Sequence, residues 1–333
     1  MPLLFALASG LLLVWWSRRS AGVVTQGIAV ALVLIDMGLY ATAFTPTADS
    51  SLFAYRPAVA RLLHPNGELF RKVTVVLDAK DTAEPFSHDT LAMSWGMVHG
   101  VEDMNGFNSL QPRRYTDYVF GPRAGDVSYG YLFDQSLLQA DSPILSSLNV
   151  RYLLVPATTL VRLGTNFREI WNDPRVHVYE NTQVYPRAYF PEHVRIETDP
   201  HEVLRQVKTP GFDGRRDALV ETNATLDLPT LNTNTSTPAH ADAARVSPSE
   251  LRVTTNTAER RLLVVSEMYF PGWHAYVDNI EAPILCTNYL FRGVIVPQGQ
   301  HVVRFVYRPI SVLIGAAISS LALICLGLLL YRG

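Results

Sequence analysis

Residues 261–309 read RLLVVSEMYFPGWHAYVDNIEAPILCTNYLFRGVIVPQGQHVVRFVYRP, and residues 310–333 continue without a linker as ISVLIGAAISSLALICLGLLLYRG. The first part turns and alternates like a small antiparallel sheet. Leu262–Val265 is a short apolar strand, Pro271-Gly272 a turn, and Trp273–Val277 an alternating strand. Asp278-Asn279 is a hairpin signal, weaker than Asp-Gly, because a type I′ turn needs two residues that tolerate positive φ. Ile284–Thr287, Phe291–Val296 and His301–Tyr307 complete five short strands, with a turn at Pro297-Gln298-Gly299-Gln300. That spacing predicts an antiparallel β-sandwich. The second part carries no charge from Ile310 to Leu330, and about 20 apolar residues at ~1.5 Å each cross a hydrocarbon core. Tyr307 and Arg308 at one end and Tyr331 and Arg332 at the other read as interfacial anchors, so residues 309–331 are expected to span a membrane.

Working outward, residues 1–17 are apolar and end in Trp15-Trp16, ahead of Arg18-Arg19. A secretory leader carries its charge before the apolar run, so this reads as a truncated membrane helix and the chain as a fragment of a larger protein. Residues 21–44 form a second apolar run, interrupted at Thr25, Gln26 and Asp36. The positive-inside rule puts Arg18-Arg19 and Arg332 in the cytoplasm and residues 45–308 outside. Within that outer region, residues 45–220 mix short helices and strands and read as an α/β domain. Residues 221–244, with the run LNTNTSTP from Leu231 to Pro238, read as a linker, and residues 245–308 hold the sandwich. The expected fold class is therefore a membrane protein fragment. Transmembrane helices flank a large extracytoplasmic region, made of a mixed α/β part and a C-terminal antiparallel β-sandwich.

A net charge of −2 over 333 residues argues against nucleic acid as a partner, which would call for a clustered basic face. Cys286 and Cys325 are too far apart in this plan to pair, and there is no CxxC site. The sequence holds no GxGxxG after a strand, no P-loop, no HExxH and no nucleophile elbow. Nothing in it calls for a cofactor or metal.

Three places could carry chemistry. Asp36 is an ionisable group inside an apolar segment; it either faces a hydrated groove or caps the outer end of its helix, which Pro46 closes. His99, Glu102, Asp103, Asn105, Asn108, Arg113, Arg114 and Tyr115 form the densest polar stretch. Arginines fork onto phosphate and amides bond hydroxyls, so Asp103, Asn108, Arg113, Arg114 and Tyr115 suit a sugar or lipid phosphate. The plainer reading is a structured loop whose arginines pair with Glu102 and Asp103. Tyr269 and Trp273 flank the Pro-Gly turn and suit either stacking on a sugar or a belt of aromatics at the membrane. Arg292 is expected to pair with Tyr289 or with Glu281.

The run from Ser266 to Pro309 resembles the C-terminal signature of the YfhO family of bacterial membrane proteins, with its aromatic-Pro-Gly-Trp hairpin, Phe-Arg-Gly-Val strand and last span. EDMNGFNSLQPRRY (102–115), LNVRYLLVP (148–156) and VYENTQVYPRAYF (178–190) fit as well. Asn279, where the family tends to have Gly, and the Asn232–Thr237 insertion depart from it. The family is similar to GT-C glycosyltransferases. The resemblance implies a multi-pass protein of the bacterial cytoplasmic membrane that moves sugar from a polyprenyl-phosphate donor to an envelope glycan. This chain would then supply the accessory outer domain. No catalytic residue carries over, and the resemblance leaves a divalent metal in the preceding part an open question. The alternative is a non-enzymatic, membrane-tethered module that binds an envelope glycan or a partner protein. In either case the lipid bilayer is a partner.

Overall fold

The computed structural model describes residues 22–44, 50–63, 68–77, 86–92, 94–104, 111–120, 134–139, 142–222 and 239–332. The expected first membrane helix (1–17) and the basic turn after it lie outside them, as does Asn108. Met1–Tyr55 and Arg56–Gly333 are separate compact units. In the first, Val23–Phe44 is a helix.

The second unit is a mixed α/β structure with three mostly antiparallel sheets. The first sheet holds β1 (Arg71–Thr74), β2 (Glu102–Asp103), β3 (Val150–Pro156), β4 (Phe167–Asn172) and β5 (Val176–Asn181), in the order β2-β1-β3-β5-β4. The chain then forms β6 (Ala188–Tyr189), β7 (His193–Glu197), β8 (Asp217–Glu221), β9 (His240–Ser247), β10 (Glu250–Thr257), β11 (Arg261–Met268), β12 (Trp273–Val277), β13 (Ile280–Ala282), β14 (Leu285–Thr287), β15 (Phe291–Val296) and β16 (Gly299–Tyr307). These make a six-stranded sheet, β6-β11-β15-β14-β8-β7, and a five-stranded sheet, β13-β12-β16-β10-β9.

Strand β11 explains the layering. Leu263 and Val265 join Leu251, Val253, Val303 and Phe305 in the core between the two later sheets. Leu262 and Val264 face the other way, into a core with Val73, Leu153, Val203 and Leu219. A strand buried on both faces reads as a continuous apolar run, and LLVV does. Each of these side chains, fully buried, contributes about 1.5–3 kcal/mol. The five-stranded sheet has one wet face, so β10 alternates: Leu251, Val253, Thr255 and Thr257 are buried while Arg252, Thr254 and Asn256 are exposed.

The hairpin between β12 and β13 turns on Asp278 and Asn279, at φ 48° and 71°. Asp278 Oδ1 accepts from the Val302 amide at 2.9 Å, which fixes the turn to β16.

The C-terminal helix, Ile310–Arg332, follows β16 directly. Its described side chains are exposed along its length, including Ile310, Leu313, Ile318 and Leu321. Among the described residues no helix is long and apolar enough to cross a membrane.

Candidate functional site

The polar stretch around Asp103 is drawn apart by partners from elsewhere in the chain. Asp103 forms an ion pair with Lys72, whose side chain is fully buried and also donates to Thr74 Oγ1 at 3.0 Å. Arg114 grips both carboxylate oxygens of Glu221 at 2.8 and 2.7 Å, donates to Tyr289 O at 2.7 Å, and lies 4.8 Å over the Tyr289 ring. Its hydrogen bond to Glu221 raises its pKa, so the guanidinium is a fixed cation. Tyr115 donates to Met104 O at 2.6 Å. Arg113 is exposed, with Asp117 at 3.5 Å one helical turn on. His99 Nε2 meets His88 Nε2 at 3.0 Å in the interior. Asp36 is exposed on the helix Val23–Phe44, in the other unit. The described members of the stretch thus point to different neighbours rather than into one pocket.

Glu102 belongs to a larger ionic cluster. It accepts from Arg187 at 2.7 Å and Arg245 at 2.8 Å, and Glu267 accepts from both of these at 2.6 Å. Arg71 adds to each, 3.2 Å from Glu267 and 3.8 Å from Glu102, and donates to the carbonyls of Leu148 and Ser266. Burial pushes the Glu267 carboxyl up, but Arg71, Arg187 and Arg245 outweigh it and hold the pKa at about 2.

Arg292 stands apart from the sequence expectation. On β15 it shares a face with Val294 and Val296, so it points into the layer between the two later sheets. It pairs with neither Tyr289 nor Glu281. Its guanidinium lies 3.6 Å over the ring of Trp273 and 5.9 Å from that of Phe305. Nε donates to Met268 O at 2.9 Å, while buried Nη1 has no acceptor among the described residues. The correction is one of register: strand alternation sends Arg292 inward, and Tyr289 is taken by Arg114. The inward phase of an apolar strand was a legible signal for it.

Arg292 lines a cavity of about 420 Å³ whose wall includes Tyr269, Phe270, Trp273, His274 and Glu281. Tyr269 and Trp273 therefore share one cavity. A second cavity, of about 700 Å³, shares Phe270, Pro271, His274 and Glu281 with it and continues along Tyr307 and Arg308 to Leu313 on the C-terminal helix. The Pro271-Gly272 turn locks this corner. Gly272 has φ 92°, its carbonyl accepts from the Arg308 amide at 2.7 Å, and a Cβ there would sit 3.0 Å from Tyr307 and 3.1 Å from Pro309. Gly272→Ala is expected to cost about 1–3 kcal/mol through strain and overpacking, read as a lower thermal midpoint.

The decisive comparison falls on this region. Residues 224–319 match the family model described as bacterial membrane protein YfhO. Over these residues the chain is similar to the YfhO family. No curated protein and no solved structure matches. The YfhO stretch takes in the whole five-stranded sheet, strands β11, β14 and β15, and the first turns of the C-terminal helix, and so both cavities.

Proposed function

We propose that this chain is the outer-face module of a glycosyltransferase-like YfhO membrane protein, acting on a cell-envelope glycan with a polyprenyl-phosphate sugar as donor. The observation that carries the reading is the YfhO match over the sheet pair and the root of the last helix. In this reading Ile310–Arg332 crosses the cytoplasmic membrane and the sheets stand outside it. An uncharged stretch from Ile310 to Leu330 rises about 31 Å at ~1.5 Å per residue, close to the hydrocarbon thickness. Its apolar side chains are exposed rather than packed on the fold, which lipid would cover.

The module would hold substrate rather than perform the transfer. Asp103 and Arg114 are committed to Lys72 and Glu221, so they suit a structural role better than direct contact with a phosphate. The cavity of Tyr269 and Trp273 has the aromatic wall that sugar faces stack on. That same cavity favours a second reading, a tethered glycan-binding module without transferase activity.

Deleting the coding region for residues 224–319 in the native host tests the proposal. Mass spectrometry of envelope polymers should then lack one class of sugar substituent, restored by the intact gene. Unchanged sugar content, with binding of purified protein to the glycan, would favour the tethered module.

A further inference from the structure

The cation at Arg292 is undercompensated. Arg71, Arg187, Arg245 and Arg292 act on Glu267, and Glu102 is the other carboxylate of the group, so four guanidinium groups share two carboxylates. Among the described residues, cations thus outnumber the carboxylates that face them, and the Arg292 end of the group, with its buried Nη1 lacking an acceptor, is costly unless an anion answers it. The Arg292 side chain is 3% exposed. Burial, with Arg245 and Arg71 adding to it against the pull of Glu267, pushes its pKa down to about 10. A neutral sugar would leave this imbalance as it is. The carboxylate on the cavity wall, Glu281, does not correct it either, since its Oε1 lies 2.9 Å from His274 Nδ1 on the outer side.

We propose that the cavity beside Arg292 is an oxyanion site that takes a phosphate group, held by the Arg292 guanidinium against the Trp273 face. Phosphate matches the forked donor geometry of arginine, and its charge answers the excess. Nη1 is covered in the unliganded chain, and the rim residues Tyr269 and Phe270, 37% and 41% exposed, would turn aside to admit the ligand. The phosphate comes from a lipid head group or from a soluble phosphate. The second cavity leads from this wall to the root of the C-terminal helix, giving a head group a path to it.

The test uses the full chain in phosphatidylcholine nanodiscs, titrated with inorganic phosphate, and in discs that also contain phosphatidic acid. Thermal midpoint and tryptophan fluorescence are the readouts. A saturable rise of about 2–4 °C or more, with a change in fluorescence, is expected in one arm. A response to inorganic phosphate assigns a soluble source; a response to phosphatidic acid alone assigns a head group. Arg292→Gln should abolish it, and Arg168→Gln, at an exposed position, should leave it intact. Should Arg292→Gln fail to fold, Arg292→Lys keeps the charge without the fork and should weaken binding by at least about tenfold. A wild-type chain without a saturable response in either arm overturns the site, as does undiminished binding by Arg292→Gln. Neither outcome depends on whether the protein transfers sugar.

Discussion

Glu267→Gln is expected to cost about 3–5 kcal/mol, among the largest losses available to a single side chain in this fold. Glu267 answers Arg71, Arg187 and Arg245 at once, from β11 to β1, the segment before β6, and β9. Glutamine keeps the shape and one acceptor but removes the charge, leaving Glu102 to balance the arginines alone. Chemical denaturation of the chain in detergent measures the loss. The pH dependence identifies its cause. Because the folded-state pKa of Glu267 lies near 2, below its usual 4.5, its stabilisation is full above about 4.5 and is lost as pH falls towards 2. The wild-type stability curve should fall through that window, and the Glu267→Gln curve should be flatter there. Equal slopes would mean that the cluster contributes little.

Asp103→Asn should cost a similar ~3–5 kcal/mol, by a different route. Lys72 is fully buried, and burial lowers its pKa while Asp103 pulls it back up. With the carboxylate charge gone, the ammonium is left with neutral acceptors, Thr74 Oγ1 and the Leu91 carbonyl among them. The variant can relieve this by losing the proton, so its stability should rise as pH is raised towards the ordinary lysine value of 10.5. Lys72→Met combined with Asp103→Leu removes both charges and should recover more than half of the loss. A double variant no better than Asp103→Asn would show that packing, not charge, is at stake.

The strands of the last hundred residues were legible because their patterns are local. Trp273–Val277 and Phe291–Val296 form over the residues expected, and Asp278-Asn279 makes the hairpin between β12 and β13. Strands β9 and β10 were not legible. Their inward positions include Ala241, Ala243, Thr255 and Thr257, which count as weakly apolar or polar until a sheet closes over them. Arg187–Pro191 reads as a strand and holds β6, but the sheet partners of β6 and β8, β11 and β14, could not be read from the sequence because they lie far along the chain.

The polar stretch near Asp103 shows the same limit at the level of side chains. Nearness in sequence left two readings, a shared pocket and a loop whose arginines pair with Glu102 and Asp103, yet Arg114 finds Glu221 107 positions away and Glu102 finds Arg187 85 positions away. Long-range ion pairs leave no local trace. Tyr269 and Trp273 flank one tight turn, and both line the same cavity.

Labelling of intact cells with a membrane-impermeant maleimide tests the outer placement of the sheets most directly. His240→Cys puts a thiol on an exposed edge strand, in a chain where Cys325→Ser removes the helix thiol. Cys286 gives little background, because it is buried and its thiol is pushed up to about 12. Labelling of His240→Cys in intact cells, with Gly333→Cys labelled only after permeabilisation, is the expected result. Labelling of His240→Cys only after permeabilisation would put the sheets in the cytoplasm and contradict the proposed outer-face module.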